Sequence, residues 1–232
     1  MPITEHKFAT KEDLFQSLKE ECCTRLDAAA QNAGQASMLL SGGTSPGPLY
    51  QAMSETDMDW SKVWFSLTDE RWVEPDHEAS NERLVGETLI QNHAASAKLI
   101  GLKSDGDLAS DGHQATEEKL AALPAPYEIV LVGMGLDGHT ASLFPDSADT
   151  ENALDQNNQN KTCPIRRDNP DEVARISMTL NSLLNCNQII LLFFGEEKWK
   201  IYSKARLNIT QTLPVSYLLG QDSVPVSIYW AP

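Results

Sequence analysis

A histidine, an acid and a set of glycines meet in one stretch, Tyr127 to Pro145, which reads YEIVLVGMGLDGHTASLFP. The apolar run at its start predicts a strand buried on both faces, as in a parallel sheet. Open α/β sheets hold their ligands beyond the carboxyl ends of such strands, so His139 is delivered to the edge where chemistry is expected. Gly133, Gly135 and Gly138 permit a sharp turn and a close approach of backbone to ligand. Their spacing also matches G-x-G-x-x-G, the dinucleotide fingerprint, but that motif needs a long helix and a second strand with an acid about 20 residues on. Pro145 interrupts here, and the polar DSADTENALDQNNQNKT that follows has no strand pattern. Residues 146–162 are therefore expected to form a structureless insert. A tight glycine turn with an ordinary surface histidine is the bland alternative, and it must be weighed against what the other strand ends carry.

Three other strand ends also carry chemistry. Ala36 to Leu40 runs into Ser41-Gly42-Gly43-Thr44-Ser45-Pro46-Gly47, with a helix expected from Pro48 to Met53. Small residues between a strand and a helix let several N–H groups converge on an anion, and the hydroxyls add donors. It is a phosphate cradle without the Gly-Lys-Ser/Thr of a P-loop; a plain βα turn is the alternative. Val63 to Leu67 ends in Thr68-Asp69-Glu70-Arg71-Trp72, three charges expected to project into the crevice rather than form a solvated face. Gln188 to Phe194 ends in Gly195-Glu196-Glu197-Lys198, and a cation in a first helical turn is disfavoured by the helix dipole. A bound anion accounts for Lys198 better.

The remaining elements must hold these ends together. Leu14, Leu18, Cys22 and Leu26 recur at helical spacing, and Thr10 with Asp13 resembles a capping box, so a helix is expected from about Thr10 to Asn32. Ser80-Asn81-Glu82-Arg83 is expected to cap a helix running to about Asn92. A polar helix ends before Pro124. Arg175 to Leu180 reads as a strand passing into a short helix at Asn181 to Asn185, Pro214 to Leu219 as a closing turn or helix, and Val224 to Trp230 as a last strand. His77, His93 and His113 fall in polar contexts and are expected to be solvated.

At 232 residues the chain fits one α/β domain spanning 1–232. None of its apolar segments reaches the ~18 residues of a membrane span, and the N-terminal MPITEHKFAT lacks a signal peptide's apolar core. A cytoplasmic protein is expected. Cys22, Cys23, Cys163 and Cys186 form no C-x-x-C pair, which argues against a disulfide framework or a zinc site. With 33 acids against 18 basic residues the net charge is −15, which speaks against nucleic acid or an anionic membrane as partner. An anionic small molecule is still permitted, because a few cations and backbone N–H groups can hold a phosphate locally.

SGGT, TDERWV, GMGLDGHTASLFP, RISMTLN and GEEKW, in this order, resemble the 6-phosphogluconolactonase family, in the larger group that contains the glucosamine-6-phosphate deaminases. The similarity runs from about Leu39 to Leu219, and GLDGHTASLFP is its most specific piece. The resemblance implies a three-layer α/β/α fold with a mostly parallel, Rossmann-like sheet. It also implies hydrolysis of 6-phosphoglucono-δ-lactone in the pentose phosphate pathway without metal or cofactor, by a monomer or small homo-oligomer. The deaminases look like DGHIAFNEP, with a glutamate five residues after the histidine; Phe144 stands there in this chain, so the deaminase relay is incomplete.

In the roles this suggests, His139 is the general base that draws a proton from water, since an imidazole titrates near neutrality. Asp137 orients the imidazole or the water. Arg71 stabilises the tetrahedral oxyanion or else holds the phosphate. Gly42, Gly43 and Thr44 with Arg175 and Lys198 anchor the phosphate, while Asp69 and Asn81 complete the substrate site, Asn81 through sugar hydroxyls. Ser45 and Ser142 lack a G-x-S-x-G elbow, which favours direct attack by water. An amino-sugar-phosphate deaminase and a non-catalytic sugar-phosphate sensor are the alternatives.

Overall fold

The computed structural model describes residues 3–167 and 172–232; Met1 and Pro2, where the reading of the N-terminus and the 1–232 domain begin, lie outside the described residues, as do residues 168–171 of that domain. In chain order the elements begin with β1 (Ile3–Lys7), α1 (Lys11–Ala33), β2 (Ala36–Leu40), α2 (Gly47–Ser54), β3 (Val63–Leu67), β4 (Asp69–Arg71), α3 (Asn81–Thr88), β5 (Lys98–Leu99) and α4 (Ala109–Leu120). They continue with β6 (Ile129–Val132), α5 (Asp149–Leu154), β7 (Thr162–Ile165), β8 (Arg175–Met178), α6 (Leu180–Leu184), β9 (Ile189–Phe194), α7 (Glu196–Ala205), α8 (Ser216–Leu219) and β10 (Val226–Ala231). No helix among the described residues is long and apolar enough to cross a membrane.

Thr10 starts α1 by accepting the N–H of Asp13 at 3.1 Å. Leu14, Leu18, Cys22, Leu26 and Ala30 then fall on one buried stripe, and each leucine contributes about 1.5–3 kcal/mol by leaving water. That stripe packs on a sheet ordered β1-β10-β9-β6-β2-β3-β5, in which every pairing is parallel. Every residue of β2 and β6 is buried. Strands can be apolar at both alternating positions only when both faces are covered, and the fold is accordingly a three-layer α/β/α arrangement.

The strand order places the site. From β2 the chain moves outward to β3 and β5, then returns to the other side of β2 with β6 and continues to β9 and β10. Direction therefore reverses between β2 and β6, which pair directly through Met38 with Ile129 and Leu39 with Val130. Loops leaving two strands at such a reversal diverge to opposite sides and open a crevice. The SGGT loop follows β2 and the glycine–histidine loop follows β6.

Several expectations are corrected. Residues 146–162 are not structureless: α5 lies within them, and Thr162 begins β7. Their polar side chains make local bonds, such as Asn157 N–H to Asp155 Oδ1 at 2.9 Å and Asn160 N–H to Asn158 Oδ1 at 3.0 Å. Asn181 then ties the segment down through the carbonyls of Gln156 and Asn158. High polarity here marks backbone satisfied by Asx-type turns rather than absence of order. A second sheet, β4-β8-β7, is antiparallel; it escaped notice because β4 has three residues and β7 carries Pro164, which an edge strand tolerates. The helix after Ser80 stops at Thr88 rather than near Asn92. His113 is half-buried instead of solvated, with Nε2 2.9 Å from the Thr162 carbonyl. No helix follows the glycine–histidine loop until α5, a segment of six residues, which removes the dinucleotide reading.

Candidate active site

Ser41, at the end of β2, is half of a tether: its carbonyl accepts the hydroxyl of the buried Tyr50 from α2 at 2.6 Å. The loop between them is thus pinned at its base while Gly42, Gly43 and Thr44 line a cleft of about 270 Å3. Gly42 has no room for a side chain, because a Cβ there would overlap the carboxamide of Asn81; Gly43 sits at φ 85. Both positions therefore require glycine.

Opposite this loop, the turn after β6 is closed by Gly135 N–H to His139 O at 2.9 Å and Gly138 N–H to Gly135 O at 3.1 Å. The Asp137 carboxylate folds back within it and meets His139 Nδ1 at 2.6 Å and the His139 N–H at 3.1 Å. A Cβ on Gly135 would collide with both side chains, so the bare backbone at Gly135 is what lets the pair close. Burial works to raise the Asp137 carboxyl, but the hydrogen bonds and charge of His139 outweigh it and bring it to about 2. An ionised carboxylate at Nδ1 holds a proton on that nitrogen and leaves Nε2 as the basic one. His139 lines the cleft. Behind it the Phe144 ring packs against the imidazole, with centroids 4.5 Å apart.

The third wall comes from the small sheet. Alternation along β4 sends Asp69 and Arg71 to the cleft and Glu70 the other way, where it is fully buried. Of the three charges expected in the crevice, Glu70 is thus excluded by strand periodicity. Arg71 Nη1 donates to Asn81 Oδ1, and Asn81 Nδ2 donates to the Asp69 carbonyl at 2.8 Å. Asp69 Oδ2 accepts the Ser142 hydroxyl at 2.5 Å and lies 3.8 Å from Arg175. Lys198 reaches the cleft from the first turn of α7.

Arg71, Arg175 and Lys198 therefore line the same cleft. Burial pulls the Arg175 guanidinium below its ordinary value, Asp69 pushes back, and the like charges of Arg71 and Arg167 add to the lowering. Burial likewise lowers Lys198, against the attraction of Asp137. Crowded, partly dehydrated cations of this kind are relieved by an anion. The cleft brings together His139, Arg71, Gly42, Gly43, Thr44, Asp69, Asn81, Arg175 and Lys198, with Asp137 behind the imidazole. Among the described residues no group of three or more His, Cys, Asp or Glu side chains could hold a metal ion.

Sequence reading did not single out Ala141, which lines the cleft in a left-handed conformation at φ 49, a backbone state a β-carbon makes unfavourable. No residue-type signal marks it. Arg167 was also missed: its guanidinium lies 3.9 Å over the Phe144 ring and pairs with Asp146 at 3.0 Å. Its position inside a polar stretch gave no periodicity to follow.

The family model described as "Glucosamine-6-phosphate isomerases/6-phosphogluconolactonase" matches residues 9–230. A 6-phosphogluconolactonase of Rhizobium meliloti (strain 1021) is 33% identical over 233 residues, covering 100% of both chains. One from Pseudomonas putida is 34% identical over 228 residues, 98% of this chain and 92% of its own. The crystal structure of a 6-phosphogluconolactonase from Shewanella baltica OS155 superposes with a TM-score of 0.95 at 38% identity, covering 100% of this chain and 98% of that one.

Proposed function

The chain belongs to the glucosamine-6-phosphate isomerase/6-phosphogluconolactonase family, and from that premise we propose that it opens 6-phospho-D-glucono-1,5-lactone to 6-phospho-D-gluconate by attack of a water molecule activated by His139. The observation that carries this reading is the 2.6 Å contact between Asp137 and His139 Nδ1 in a cleft shared with the SGGT loop and three cations.

Phosphate is held by the N–H groups of Gly42, Gly43 and Thr44 together with Lys198 and Arg175, which puts the lactone carbonyl before His139. Nε2 removes a proton from water as its oxygen bonds to C1. The carbonyl electrons move onto oxygen, and Arg71, steadied by Asn81, faces the charge that develops. A fixed cation in a partly dehydrated cleft acts most strongly at that stage. Collapse breaks the bond from C1 to the ring oxygen, the imidazolium returns its proton to that oxygen, and the new acid ionises. Asp137 stabilises the imidazolium in between, as an orienting carboxylate does in other hydrolytic sites.

Phe144 separates this reading from the deaminase alternative. Where a ring-opening relay needs a carboxylate, a buried apolar ring lies against the imidazole. Lactone hydrolysis followed by proton release, with His139→Ala beside the unaltered protein, is the test. The expected outcome is a fall in kcat of about 100-fold or more, as for loss of a general base; a loss below about tenfold rejects the assignment.

A further inference from the structure

Glu70 is fully buried, and among the described residues no cationic side chain acts on its carboxylate. A carboxylate without a cation is costly to bury, and an apolar side chain in its place is generally cheaper. Its contacts indicate why it is there. Oε1 accepts the backbone N–H of Arg71 at 2.8 Å and that of Asn81 at 2.8 Å. Oε2 accepts the N–H of Glu82 at 2.8 Å and the Ser80 hydroxyl at 3.1 Å. The three backbone N–H groups can only donate, and between them they need both Glu70 oxygens as acceptors, which a carboxylate supplies at once.

Two functions can be separated within these contacts. The bonds to Ser80, Asn81 and Glu82 cap α3, a task Ser80 already shares by accepting the Arg83 N–H at 3.1 Å. The bond to Arg71 does nothing for the helix; it joins the strand that carries the cleft cation to the helix that carries its partner. Arg71 and Asn81 then bond to each other across the cleft wall, and Asn81 sets the clearance at Gly42.

We propose that Glu70 is a positioning residue for the reaction: one carboxylate oxygen fixes the backbone of Arg71 and Asn81 together, and so aims the Arg71 guanidinium. This rests on the role given to Arg71 above. Glu70 touches no substrate; it acts through the pair it holds.

The test is a double-mutant cycle between Glu70→Gln and Arg71→Ala, read as kcat and KM for the lactone alongside circular dichroism. Glu70→Gln is expected to lower kcat by about tenfold or more with KM within about threefold, the signature of an interaction realised in the transition state. In the Arg71→Ala background the same change is expected to cost less than about threefold, because residues acting as one unit are non-additive. Should Glu70→Gln not fold, Glu70→Asp keeps the charge but shortens the reach, with the same expectation. Equal cost in both backgrounds, or no cost in either, overturns the proposal while leaving the functional reading in place. Absence of lactone turnover by the unaltered protein overturns both.

Discussion

Ser142 lies in the same loop as His139 and carries a hydroxyl, yet its oxygen is fully buried and spends its proton on Asp69 at 2.5 Å. A nucleophile must reach the substrate as well as be met by a base; this hydroxyl is buried and does not line the cleft. Ser142→Ala is therefore expected to retain at least about a tenth of kcat and to show no acyl-enzyme burst, measured by rapid mixing. It should also lower stability by about 1–3 kcal/mol, because a buried acceptor loses its donor. His139 and Asp137 were legible as a pair in the sequence because a single residue, Gly138, separates them within one turn. What the sequence could not show is that Asp137 addresses Nδ1, or that Phe144, noted first for what it replaces, is the surface against which the imidazole rests.

Elements explain why some charges face the cleft and others do not. In TDER the types alone suggest three equivalent groups, and only pairing of β4 with β8 assigns the middle one to the interior. The small sheet is itself latched to α4. Glu117 accepts the N–H groups of Lys161 and Thr162 at 3.0 and 2.7 Å, and His113 lies 3.6 Å from the same carboxylate. The Glu117 carboxylate beside it raises the His113 pKa above its ordinary 6.5, against burial and with help from the Thr162 carbonyl. Burial would raise Glu117, but the neighbouring His113 and the hydrogen bonds from Thr162 and Lys161 prevail and bring it from 4.5 to about 2. A raised histidine contributes stability in full below its unfolded value, and loses it as pH climbs through the folded one; a depressed acid contributes in full above its unfolded value, and loses it on acidification. The latch is therefore strongest between about 4.5 and 6.5. His113→Gln is expected to lower Tm by about 2–4 °C at pH 6, for a loss near 1 kcal/mol, and by less at pH 9. An equal drop at both, followed by calorimetry, would mean that the charge of His113 plays no part.

Over the whole molecule, a net charge of −15 surrounds a cleft with three cations. Range decides which one a bound phosphate feels. Cleft cations act at contact distance, whereas acids on distant surfaces lie beyond the Debye length of about 8 Å at physiological salt. Lys198→Ala is accordingly expected to raise KM for the lactone about tenfold or more with kcat little changed, the mark of lost uniform binding. Inorganic phosphate should inhibit competitively, and more weakly as ionic strength rises. Inhibition that tightens with added salt would show that the global negative field governs access instead.

Strand ends, the glycine turn and the list of groups that could grip an anion were legible in the sequence, because apolar runs, glycines and the few basic residues are local signals with a short-range physical cause. Lys198 is an instance: its place in a first helical turn was already anomalous before any contact was known. Two matters belong to the tertiary structure alone. The reversal of strand order between β2 and β6 decides that loops almost a hundred residues apart in sequence share one crevice. The pairing of β4 with β8 decides which charges enter it. Both depend on which strands become neighbours, a choice made by burial over the whole core and written in no single segment.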